Sequence, residues 1–149
     1  MRAGLGVVLL SLGLATGPAQ AQSAPPGAWP ADGYATALTQ QPGDPERGRR
    51  LVVDRQQGFC LLCHSGPFPE ERFQGTLGPD LSVNAGRRLE AHVRARLLAP
   101  TLFNPDTLMP AYGPPTTPGL RVHPQFQGKP LLQAQDIEDI VAFVMQMKP

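Results

Sequence analysis

The sequence predicts an all-α fold, with a few short helices joined by long loops. Three observations predict it. Helical signals occur over residues 44–57, 87–98 and around 136–148, whereas strand-like runs are scarce. Proline and glycine are abundant, 18 and 16 of 149 residues, which shortens elements and lengthens the connections between them. Finally, Cys60-Leu61-Leu62-Cys63-His64 uses both cysteines of the chain and sets a histidine directly after the second. That is the pattern of c-type haem attachment, and a large flat apolar ligand compensates for little regular structure.

The elements follow in chain order. Met1-Arg2, an apolar run from Ala3 to Ala15, and Ala19-Gln20-Ala21 form a charged start, a hydrophobic stretch and a small-x-small cleavage site. Residues 1–21 therefore read as a signal peptide, with the mature chain in the periplasm. The apolar run is shorter than the roughly 20 residues that a membrane span needs, and no later segment is longer, so no membrane span is expected. Cleavage would leave 128 residues, one domain's worth, with twelve basic and twelve acidic side chains. With no general basic field, nucleic acid is not expected as a partner.

Residues 22–43 contain Pro25-Pro26-Gly27, Trp29-Pro30 and Pro42-Gly43 and read as a proline-rich arm. Trp29 and Tyr34 are candidates for pinning it to the domain or to a partner; a plain linker is the alternative. The domain itself is expected over 44–149. Asp44 suits the N-cap of a first helix and Pro45 its first position. The spacing predicts a helix to about Gln57, ended by Gly58. Gly48 inside it costs about 1 kcal/mol relative to alanine, which a close helix crossing would explain.

The haem motif comes next. Two thiols three positions apart lie on about one helical turn and reach two vinyl groups of one porphyrin, and the following imidazole can ligate iron. The other readings fit less well. A thioredoxin-type pair wants a βαβ context. A zinc site wants about four N or S ligands, and only His92 and His123 remain, neither at ligand spacing. A plain disulfide does not call for the histidine.

Residues 65–86, with Gly66-Pro67-Phe68-Pro69 and Gly78-Pro79-Asp80, read as a loop along one side of the haem. A helix is expected over 87–98, with Leu89, Val93 and Leu97 on its inner face and Pro100 just past its end. A second loop spans 101–132. In the last helix Ile137, Ile140, Val141 and Val144 make the apolar face. Asp136, Glu138 and Asp139 near its start and Lys148 near its end suit the helix dipole.

An electron carrier's iron normally has a second protein ligand. Met145 and Met147 fall on the last helix, where core packing is expected. Met109 sits between Pro105 and Pro110 in a stiffened loop, far enough along the chain to return on the opposite face of the haem. It is the expected sixth ligand, a buried gap-filling methionine being the other reading. His92 reads as a surface residue of the second long helix, and His123 as a loop residue. Arg121 is open between a propionate partner and a solvated loop arginine. With both axial positions filled, iron has no open site for substrate. One-electron transfer is then the expected activity.

Several segments together resemble a known family. Gly43-Asp44-Pro45-Glu46-Arg47-Gly48, the haem motif, Leu77-Gly78-Pro79-Asp80-Leu81, Asn104-Pro105-Asp106-Thr107-Leu108-Met109-Pro110 and the terminal helix resemble a class I cytochrome c. Cys63-His64-Ser65-Gly66-Pro67-Phe68-Pro69-Glu70-Glu71-Arg72-Phe73-Gln74-Gly75, Gly119-Leu120-Arg121-Val122 and Gly128-Lys129-Pro130-Leu131-Leu132 narrow the resemblance to SoxX, the small monohaem subunit of the SoxAX sulfur-oxidation cytochrome.

The resemblance implies one covalent haem c, with thioethers at Cys60 and Cys63 and axial ligands His64 and Met109. It also implies that the Pro79 carbonyl accepts the other ring N–H of His64. A SoxA-type heterodimer partner is implied to carry the catalytic site of an L-cysteine S-thiosulfotransferase. That reaction links thiosulfate to a cysteine of a SoxYZ-type carrier, and a downstream cytochrome accepts the electrons. His123 departs from the small residue expected there. A free-standing one-electron carrier between a periplasmic dehydrogenase and an oxidase or reductase is the alternative.

Overall fold

A computed structural model describes residues 34–83, 87, 89–114 and 127–148. Expectations for the signal peptide, Trp29, Arg121 and His123 lie outside the described residues. Those residues form four α-helices and one 3₁₀ turn and contain no strand, in line with the all-α expectation. None of these helices is long and apolar enough to cross a membrane.

Helix α1, Pro45–Val53, starts as expected. The Asp44 carboxylate accepts from the N–H groups of Glu46 and Arg47 at 2.8 and 3.1 Å. It ends four residues earlier than the spacing predicts. Asp54 turns extended, and its carboxylate accepts from the N–H groups of Gln56 and Gln57 at 2.7 and 3.0 Å. That local bonding competes with helix continuation and starts a separate turn.

The single turn α2, Cys60–Cys63, carries the haem motif. Helix α3 runs over Glu90–Leu98 rather than from residue 87. Leu89 is its extended N-cap residue and is exposed, so the buried face consists of Val93, Arg94, Ala95 and Leu97. Pro100 opens the 3₁₀ turn Pro100–Leu102. His92 is exposed on α3, as expected.

Helix α4, Ala134–Gln146, buries Ile137, Ile140, Val141 and Val144. Met147 is buried beyond its end, and Met145 packs against the same core. The Asp136 carboxylate caps the start by accepting from the Gln133 N–H at 2.9 Å. Glu138 and Asp139 depart from the dipole reading, because both are buried and paired with arginines of other helices.

Helix α4 is the centre of the frame, with α1 and α3 packed on it. The α1 crossing explains Gly48. A Cβ there would collide with the main-chain carbonyl of Asp139, so only glycine permits the approach. Beside this contact Arg47 donates through Nε and Nη2 to Asp139 at 2.7 and 2.9 Å. On the other side Arg94 donates through Nε and Nη2 to Glu138 at 2.7 and 2.8 Å.

Arg94 also ties down residues preceding α1, since its Nη1 donates to the Tyr34 carbonyl at 2.6 Å. The Leu38 N–H donates to Glu138 at 3.0 Å, and Thr39 Oγ1 donates to Gln135 at 2.8 Å. Residues 34–43, read as part of an arm, thus lie along α3 and α4. Burial alone would raise the Glu138 carboxyl, but hydrogen bonds from Arg94 and the Leu38 N–H outweigh it and hold its pKa below the ordinary value. Burial likewise opposes the net lowering at Asp139, where Arg47, the Asp44 N–H and Gln135 prevail.

Candidate haem site

The turn that carries the motif is fixed from both ends. Phe59 immediately precedes it with φ 59° and ψ 1°, the one non-glycine residue with positive φ among those described. A bulky residue there is backbone strain of about 1–3 kcal/mol, sustained because its ring packs against the core. Behind it, the Gly58 carbonyl receives the Tyr112 hydroxyl at 2.8 Å and faces Cys60 Sγ at 3.3 Å. Burial pushes the Cys60 thiol up to about 11, opposed by its interaction with Tyr112. Such a thiol stays protonated at neutral pH, unlike the nucleophilic thiolate of a thioredoxin-type pair. Among the described residues no three His, Cys, Asp or Glu side chains group as a zinc site would require.

The loop after α2 folds back along the motif in a regular series. Gly75 N–H donates to the Leu61 carbonyl at 2.9 Å, Gly78 N–H to Cys63 at 2.7 Å, and Leu81 N–H to Ser65 at 2.7 Å. Between the last two, His64 Nδ1 lies 2.7 Å from the Pro79 carbonyl. A carbonyl only accepts, so Nδ1 carries the proton and Nε2 keeps its lone pair for a metal. Gly78 lies flat on the imidazole, where a Cβ would overlap ring atoms Cε1, Nδ1 and Nε2. Gln74 closes the intervening segment by accepting from the Gly66 N–H at 2.7 Å and donating to the Phe68 carbonyl at 2.8 Å.

Met109 is half-buried and packs against the core, as do Cys60, Phe59, Leu81 and Leu98. Its N–H donates to Thr107 Oγ1 at 3.1 Å, and the Asp106 N–H donates to the Asn104 side chain at 3.0 Å. Local bonds therefore support the proline-flanked loop. Tyr112, not singled out by its sequence context, links this loop to the motif. Its N–H donates to the Leu97 carbonyl at 2.8 Å, while its hydroxyl holds Gly58.

These residues fit a covalent haem. Two thiols lie on one turn, beside an imidazole whose Nε2 is free for iron. Large apolar side chains on the adjoining segments are exposed. Leu77 is 68% exposed, Leu89 60%, Leu102 50% and Leu108 76%. Leu77 adjoins the glycine under the imidazole and Leu108 adjoins Met109. Single exposed leucines are ordinary, but Leu77 and Leu108, next in sequence to Gly78 and Met109, suit a large apolar ligand.

The helices and this site define a small all-α cytochrome c domain. No family model and no curated protein matches the chain. Among solved structures it is similar to the crystal structure of SoxXA from P. pantotrophus, at 34% identity and a TM-score of 0.68, covering 76% of this chain and 88% of that one. The chain belongs to the SoxX family of cytochromes.

Proposed function

We propose that this chain is the electron-accepting monohaem subunit of a periplasmic complex with a SoxA-type cytochrome. The observation that carries the reading is the bond from His64 Nδ1 to Pro79, which aims Nε2 from the turn that bears both thiols. Cys60 and Cys63 would hold one haem c as thioethers, and His64 nitrogen and Met109 sulfur would ligate its iron. Bound haem supplies a reversible one-electron couple. Pro79 polarises the imidazole and strengthens its donation. Leu77 and Leu108, beside Gly78 and Met109 in the chain, would help exclude water from the apolar faces of the haem.

With His64 and Met109 both given to the iron, no position on it would be left for substrate. The activity left is electron transfer. Joining thiosulfate to a cysteine of a SoxYZ-type carrier makes an S–S bond and releases two electrons, whereas one haem accepts one. The sequence has two cysteines, and both would be taken up by thioethers. The sulfur chemistry therefore belongs to the partner, and this chain passes its electrons to a downstream cytochrome.

Coexpression with a SoxA-type subunit and the haem-attachment machinery tests the proposal. A stable heterodimer with one haem on this chain is expected. A lone monomer without affinity for that partner overturns the subunit reading and leaves the free-standing carrier. In the same preparation, Met109→Ala should abolish the methionine–iron charge-transfer absorption and lower the midpoint potential. Unchanged absorption would remove Met109 from the ligand set.

A further inference from the structure

We infer that Ser65 and Asp80 are positioning residues for the iron-binding imidazole, acting through the peptide carbonyl that accepts its Nδ1–H hydrogen bond. This rests on the reading of His64 as the iron ligand and extends it to how that ligand is tuned. His64 lies within a short ladder. Below it Gly78 N–H bonds Cys63, and above it Leu81 N–H bonds the Ser65 carbonyl, both at 2.7 Å. His64 Nδ1 meets Pro79 between them at 2.7 Å.

One further rung consists of two side chains. Ser65 Oγ donates to Asp80 Oδ2 at 2.8 Å. The other oxygen, Asp80 Oδ1, accepts from Ser82 N–H at 2.8 Å and from Ser82 Oγ at 2.6 Å. The Asp80 carboxylate thus holds the residue after His64 to the residue after Pro79, and it holds the turn that follows.

The need for such a tie is local. Gly78 has no side chain to anchor it, and Pro79 is exposed and has no N–H to bond. The direction of the Pro79 carbonyl therefore depends on what secures its C-terminal neighbour. A strong Nδ1–H···O=C bond raises the donor strength of Nε2. Stronger donation favours ferric iron and lowers the reduction potential. Loosening the Ser65–Asp80 rung lets the carbonyl drift, weakens the donation and raises the potential.

The test uses the haem-loaded protein and two variants. Ser65→Ala removes the rung and leaves every charge in place, so a change of potential there is no field effect. Its midpoint potential should rise, by up to about tenfold in the ferrous-to-ferric ratio, which is about 59 mV for one electron. Exchange of the His64 ring N–H with solvent, followed by NMR, should quicken roughly tenfold. Ser65→Thr keeps the hydroxyl and should restore both.

Wild-type potential and wild-type exchange in Ser65→Ala overturn the inference, whatever happens to thermal stability. Failure of the ligand reading has a separate signature. It would appear in the wild-type protein, as His64 ring protons without hyperfine shift in the ferric state.

Discussion

The two sides of this molecule are built on different principles. The α1–α3–α4 frame satisfies itself. Its apolar residues face one another, and its two buried carboxylates each meet a guanidinium in bidentate fashion. Residues 59–83 and 99–114 form a side of loops. Several of its main-chain groups bond across the loop, yet Leu77, Leu102 and Leu108 stay exposed. One side is complete as protein, and the other carries the haem motif and exposed apolar side chains. On the proposed reading, the loop side is where haem binding energy would become folding energy.

The largest test of that contrast is loss of the haem. Cys60→Ala combined with Cys63→Ala should drop hydrogen-exchange protection over 61–81 to nearly that of an unfolded chain. The amides of α1 and α4 should keep more. Equal loss on both sides would break the comparison, because the frame would then depend on haem as much as the loops do.

Next in size, Glu138→Ala takes the bidentate carboxylate from buried Arg94, leaving it the more distant Glu90 at 3.6 Å, and frees the Leu38 N–H. Denaturant unfolding of the holoprotein should show a loss of about 3–5 kcal/mol. Cleavage by a protease within 34–43 should quicken with it, since those residues hang on the same pair.

Gly48→Ala is smaller. A methyl directed at the Asp139 carbonyl forces α1 away from α4, at about 1–3 kcal/mol. The midpoint potential should hold its wild-type value if frame and haem face are as separable as they look.

Smallest and most gradual is the response to acid. Glu138 and Asp139 titrate below their ordinary values in the fold. Their stabilisation is therefore full above the unfolded-state values, about 4.3 and 3.9, and is lost as pH falls through the lower folded values. Thermal melting should be flat from pH 7 to 5 and decline below about pH 4. In Arg94→Met with Glu138→Leu that decline should be shallower.

Much of this was readable beforehand because it is local. Asp44-Pro45 announces a helix start through groups two and three residues away, and the α4 face repeats within one helix. The haem motif is likewise contained in five residues. What escaped depends on distant partners. Glu138 carried only a helix-dipole signal and Arg94 none, because burial of a charge is decided by the element that meets it 44 positions away. The early end of α1 turned on which of two local bonding patterns Asp54 would choose. Tyr112 gave no signal at all, since its role lies in a carbonyl 54 residues upstream.

Glu138 and Asp139 are consecutive, and consecutive residues on an α-helix point about 100° apart. Each carboxylate is claimed by a different neighbour, Asp139 by α1 and Glu138 by α3. Together they work as a two-toothed key. A rotation of α4 that suited one arginine alone would strand the other, and a slip by one position would offer each lock the wrong tooth. Hydrophobic stripes tolerate such errors, because one aliphatic group replaces another. The acidic doublet excludes them, and so sets the angle at which α4 presents its apolar side to the rest of the domain.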